Sequence, residues 1–153
     1  MSHLVTTDRA RIDVDRIHAM LRTAYWSKGI RRDVVERALA NSVVAVAIDE
    51  SSGLIVGVAR VVTDHATFAW LCDVFVDPSH RGCGLSSRMI RLLEEQPGLE
   101  TLRRWCLATR DAHGLYAKFG YEPVDPDRWM QKPCPPEAWR EAGGEESGAS
   151  GSA

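Results

Sequence analysis

The chain of 153 residues is 44% hydrophobic and 26% charged, which suits one folded domain able to bury a core without disulfides or metals. Its 19 basic residues are offset by 21 acidic ones, for a net charge of -2, so the electrostatic footprint of a nucleic-acid binder is missing. Cys72, Cys83, Cys106 and Cys134 form no Cys-x-x-Cys pair, which excludes the common zinc and disulfide frameworks and leaves Cys72 and Cys106 as small hydrophobes within apolar stretches.

The opening MSHLVTTDRA lacks the apolar segment of a secretory signal, and the run NSVVAVAI is too short to span a bilayer, so a cytoplasmic protein that uses no membrane is expected. A short strand is predicted around Leu4 and Val5. After Asp13, a suitable N-cap, Val14, Ile17, Leu21 and Ala24 recur at steps of three and four and predict a helix over 14–25. A second helix is predicted over 32–40, where Val34, Val35, Ala38 and Leu39 share a face. Three strands follow over 42–49, 53–64 and 66–77, separated by the turn-forming DESSG and TDHAT, and read as an antiparallel meander.

Leu85, Met89, Leu92 and Leu93 then predict a helix over 84–95 that ends at QPG. TLRRWCLAT over 101–109 reads as a further strand, and a short helix over 112–119 closes at Gly120. A last strand pair is predicted at Tyr121 to Val124 and Trp129 to Lys132. The small and acidic residues of 141–153 have nothing to bury and are expected to be disordered, beyond a single domain over 1–140. The order is βααβββαβαββ, an α+β or mixed α/β domain with helices packed on a central sheet.

Between the third strand of the meander and the next helix lies VDPSHRGCGLSSRM. A helix start presents unpaired N–H groups and the positive end of its dipole, and glycines let an anion approach them, but a plain turn would also use glycine. A P-loop is excluded because Leu85 and Ser86 follow Gly84 where Lys and Ser or Thr are needed. The dinucleotide fingerprint lacks its third glycine. Arg81, Gly84 and Ser86, after FVDPSH, resemble the Arg/Gln-x-x-Gly-x-Gly/Ala signature of the GNAT superfamily of acetyl-CoA-dependent N-acetyltransferases, with Ser86 departing from Gly or Ala. Some thirty residues on, TRDAHGLYAKFGYEP resembles the family's second motif through Ala112, Leu115, Tyr116, Lys118 and Gly120, with Thr109 where asparagine is usual.

The resemblance covers about residues 3–132 and implies a GNAT-like fold with a mixed, mostly antiparallel sheet flanked by helices. It implies acetyl-CoA as cosubstrate, its pyrophosphate on the loop Arg81, Gly82, Cys83, Gly84, Leu85 and Ser86, and its pantetheine arm along Val74, Phe75 and Val76. Thr109 is placed to hydrogen-bond the cofactor, and Tyr116 to touch it and protonate the departing sulfur. An oxyanion would be held by a backbone N–H near Phe75, and Asp73 is the first candidate for a base. Asp64, His65, His80 and His113 are weaker candidates, and Arg88 and Arg91 face either the CoA 3′-phosphate or solvent.

Tyr25 and Trp26 are expected either to wall the acceptor site or to pack in the core. The expected reaction moves an acetyl group to a primary amine of a small molecule or peptide by direct attack in a ternary complex. A noncatalytic acyl-CoA-binding module is the alternative, and a homodimer is left open. No metal is expected.

Overall fold

The computed structural model describes residues 1–143, so residues 144–153, most of the expected tail, lie outside the described residues. Its sheet is built from β1 (His3–Thr6), β2 (Val43–Asp49), β3 (Ile55–Thr63), β4 (Phe68–Val76) and β5 (Arg104–Cys106), in that spatial order. The first four strands pair antiparallel, and β5 runs parallel to β4. The helices are α1 (Val14–Leu21), α2 (Arg32–Ala40), α3 (Leu85–Glu94) and α4 (His113–Ala117).

Alternation along β2 sorts the core into two layers. Val44, Val46 and Ile48 pack with Ile17, Leu21, Val35 and Leu39 of α1 and α2 on one face. Ala45 and Ala47 face the other way, toward Leu85, Met89, Ile90 and Leu93 of α3. Alanines at that contact bring α3 close to the sheet, and thereby fix the position of its first turn beside the end of β4.

Asp13 caps α1, accepting from the Arg16 N–H at 3.0 Å as its sequence position predicts. The helix stops at Leu21 rather than near residue 25, because side-chain hydroxyls claim its last carbonyls. Thr23 Oγ1 donates to Met20 O and Ser27 Oγ to Leu21 O, each at 2.7 Å. Residues 22–29 are therefore freed as a loop that carries Tyr25 and Trp26.

The expected closing strands at Tyr121 to Val124 and Trp129 to Lys132 do not form, and a 3₁₀ turn at Pro126–Arg128 lies between them. Pro123 lies inside the first segment and removes a ladder donor, Pro126 lies between the two, and Pro133 directly follows the second. At the far end, Glu141 belongs to the packed body and not to the expected tail. Its N–H donates to Gly29 O at 2.8 Å, and its carboxylate accepts from Arg22 Nη2 at 3.1 Å. Among the described residues no helix is long and apolar enough to cross a membrane.

β5 pairs with β4 only through Phe68 with Arg104, Ala69 with Trp105 and Trp70 with Cys106. β4 then continues to Val76 without that partner, and the chain after Cys106 leaves strand conformation. β4 and β5 pair at one end only, and the stretch beyond Trp70 and Cys106, where they no longer pair, is the opening between them. The strand expected over 101–109 is short for this reason.

Candidate active site

The glycine loop begins where β4 ends. Asp77 Oδ1 accepts from the Ser79 N–H at 3.1 Å and from its hydroxyl at 2.7 Å, while Arg16 Nη2 lies 3.2 Å from Oδ2. Those hydrogen bonds, Ser79's foremost, hold the Asp77 carboxyl below the usual carboxylate range. Arg81 folds back and donates from Nε to Val76 O at 3.0 Å, tying the loop to the strand. Gly82 and Gly84 then adopt left-handed conformations, with φ of 80° and 69°. Gly84 is the N-cap of α3 and brings no side-chain cap, so no side chain from that position claims the N–H groups of the first turn. Left-handed glycines ahead of a helix start are the kind of main chain whose free N–H groups can receive an anion.

The second motif builds a short helix with a defined end. Thr109 Oγ1 accepts from the Ala112 N–H at 3.0 Å just before α4 begins. After α4, Gly120 is left-handed at φ 86°, its N–H donates to Ala117 O at 3.1 Å, and the Tyr121 N–H reaches back to Tyr116 O at 3.3 Å. This is a Schellman closure, whose usual apolar contact is here the Tyr116 and Tyr121 rings, 6.0 Å apart between centroids. Gly120 thus orients Tyr116. Burial pushes the Tyr116 phenol up to about 12, with Tyr25, Asp111 and Cys72 adding to the shift, so it carries its proton at neutral pH.

Tyr25 and Trp26 are 43% and 40% exposed, so core packing is not their role. Their rings meet edge to face at 5.0 Å, and Trp26 lies 6.4 Å from the Phe75 ring on β4. Tyr25 Oη accepts from the Arg110 N–H at 3.2 Å, and the Arg110 guanidinium stands 3.8 Å above the Tyr25 ring. Trp26 Nε1 donates to Asp73 Oδ1 at 2.9 Å. The aromatic pair is therefore fastened on one side to β4 and on the other to the segment after β5, across the opening between the strands.

Asp73, the expected base, has both carboxylate oxygens engaged: Oδ2 accepts from Arg60 Nε at 2.6 Å, and Oδ1 from Trp26. Arg60 and Asp73 are 18% and 12% exposed, so the pair is shielded from water. The other candidates fall away from this cluster or serve turns. Asp64 accepts the N–H groups of Ala66, Thr67 and Phe68, which hold its carboxyl far below the usual range. His65 occupies the same turn, in a left-handed conformation. His80 meets His3 at 3.0 Å, and the Arg88 guanidinium donates to His3 O at 2.9 Å rather than facing outward. His113 opens α4 and is exposed, and Arg91 is exposed on α3. Cys72 is half-buried with its thiol pushed up to about 12 by desolvation, and Cys106 is buried.

Sequence reasoning did not single out Arg60, Ser42 or Arg110. Arg60 had one readable signal, a lone charge inside the otherwise apolar strand IVGVARVVT.

The sequence pattern described as "Acetyltransferase (GNAT) domain" matches residues 40–123. The chain belongs to the GNAT family of acetyltransferases. A protein of Gibberella zeae named as an acetyltransferase is 32% identical over 137 residues, spanning 76% of each chain. A solved GNAT-family protein of Xanthomonas campestris pv. campestris, described as an acetyltransferase, is 40% identical. That structure matches with a TM-score of 0.82, covering 89% of this chain and 96% of its own. A Clostridium acetobutylicum protein described with acetyl-CoA shares the fold, at a TM-score of 0.63 and 16% identity over 86% of this chain and 95% of its own. This GNAT protein is thus an acyltransferase, and its family uses acyl-CoA donors with an acceptor substrate. Its two motifs fall on the glycine loop and on the Schellman-closed α4.

Proposed function

We propose that this GNAT protein transfers an acetyl group from acetyl-CoA to a primary amine of a small molecule or peptide, by direct attack within a ternary complex. The observation that carries the reading is Tyr116: a half-buried phenol, pushed up to about 12, in the short helix that the Gly120 turn closes. The loop from Arg81 to Ser86 would take the pyrophosphate on its N–H groups, and Val74 to Val76 would bind the pantetheine arm as an added strand binds. A neutral amine nitrogen bonds to the acetyl carbon to give a tetrahedral oxyanion. Its collapse breaks the carbon–sulfur bond as Tyr116 gives its proton to the departing sulfur, and the proton that the new amide nitrogen sheds to solvent balances the one that Tyr116 regains. A main-chain N–H near Phe75 steadies the oxyanion in between.

Asp73 suits positioning better than proton removal, since a cation and an indole N–H already occupy its oxygens. Tyr25 and Trp26 form the acceptor wall, and Thr109 acts through α4 rather than directly on the donor. Calorimetry with acetyl-CoA, and thiol release on addition of a polyamine, an amino acid, an amino sugar and an arylalkylamine, test the proposal. Binding together with amine-dependent release is expected. Binding without release from any amine would instead favour an acyl-CoA-binding module, and no binding would defeat both.

A further inference from the structure

Two non-glycine residues among those described have a left-handed backbone, His65 and Asp73. His65 sits in a hairpin turn, where the conformation is ordinary for a short polar residue. Asp73 sits inside β4 at φ 54°, where a side chain disfavours it and something must hold it. The ladder gives the geometric reason. Val58 pairs with Phe75 and Arg60 with Cys72, so Asp73 and Val74 together oppose Ala59 alone, which is a β-bulge. A bulge bends its strand and re-aims main-chain groups. This one lies at the stretch of β4 that no longer pairs with β5.

Arg60 is the group that holds it. Arg60, one strand over, places Nε 2.6 Å from Asp73 Oδ2, while its Nη1 donates to Ser42 Oγ at 3.0 Å. Ser42 Oγ in turn donates to Ala38 O at 2.6 Å, at the end of α2. Asp73 Oδ1 carries the Trp26 indole at 2.9 Å. One carboxylate therefore joins the helical layer, the bulge and the aromatic wall.

We propose that Arg60 is a positioning residue for acetyl transfer, holding Asp73 in its left-handed bulge and, through the same carboxylate, fixing Trp26 beside the opening between β4 and β5. The inference rests on the transferase reading above. It adds that β4 and the acceptor wall keep a common geometry because Arg60 sets both.

Arg60→Met removes the cation and keeps the apolar stem, and Asp73→Asn keeps the side-chain shape. Each is expected to lower kcat with the best amine of the panel about tenfold or more, as small misplacements of reacting groups do, with CoA affinity by calorimetry within about twofold. The double variant should fall no further than the worse single one, because the two residues act as a unit. The Trp26 indole N–H resonance, assigned by its loss in Trp26→Phe, should move in both single variants. A folded Arg60→Met with unchanged kcat, effects that multiply in the double variant, or an unmoved indole resonance would overturn the role. If Arg60→Met does not fold, Trp26→Phe decides, since it removes the indole N–H of a surface residue. A KM for the amine raised about threefold at unchanged CoA affinity is then expected, and wild-type KM and kcat would overturn the link. A wild-type protein that neither binds acetyl-CoA nor releases thiol would instead defeat the transferase reading, and this inference with it.

Discussion

The two ends of the opening between β4 and β5 are built on different principles. At the glycine-loop end the main chain is the working surface, and side chains serve it: Arg81 bonds Val76 O, Asp77 holds the Ser79 N–H and Thr109 holds the Ala112 N–H. At the aromatic end the side chains are the surface, and their partners come from elsewhere in the chain. Trp26 reaches Asp73, Tyr25 takes the Arg110 N–H, and Arg60 spans Asp73 and Ser42. Backbone shape of the first kind is set by a few neighbouring residues and suits a donor common to a whole family. A side-chain network of the second kind can change one contact at a time, which suits the acceptor wall proposed for Tyr25 and Trp26.

The largest expected effect is at Tyr116. Tyr116→Phe should lower kcat about a hundredfold, the scale of general acid catalysis, while CoA affinity by calorimetry stays within about twofold. Wild-type turnover across the pH range would remove Tyr116 from that role. At the loop end, Gly84→Val forces a branched side chain into φ 69°. That should cost about 1–2 kcal/mol, read as a lower Tm, and weaken CoA binding as well. Unchanged CoA affinity in this variant would break the claim that the main chain there is the binding surface.

At the aromatic end, Tyr25→Ala deletes both the ring under Arg110 and the acceptor of its N–H. The KM for the amine should rise about threefold with CoA affinity unchanged, and a loss confined to CoA affinity would reverse the assignment of the two ends. The smallest effect is a control far from both. Hydrogen bonds from Ser52 and Ser51 lower the Asp49 carboxyl from its ordinary 3.8 to about 2. A lowered folded-state value means that this stabilisation is present above the ordinary value and is lost as pH falls toward 2. The Tm advantage of wild type over Asp49→Asn should therefore be present at neutral pH and vanish by about pH 2, with acetyl transfer at neutral pH unaltered.

The legible parts of this protein share one property, which is locality. The helix period from Val14 to Leu21, the cap at Asp13, the meander and the paired glycines each depend on residues a few positions apart, and the structure reproduces them. Helix α1 ended early because two hydroxyls competed for its carbonyls, which periodicity does not register. The closing strands do not form, since Pro123 breaks the first and Pro126 and Pro133 bound the rest. Asp73 was found by its place on β4, but its partners were not, since Arg60 is 13 residues away and Trp26 is 47.

By itself the sequence determined the glycine-loop end, because left-handed glycines and a Schellman closure are written in adjacent letters. Only the tertiary structure decided the other end. The bulge at Asp73 and the Arg60 contact that holds it arise from neighbouring strands and packed loops, and charged side chains buried between strands find partners by position in space.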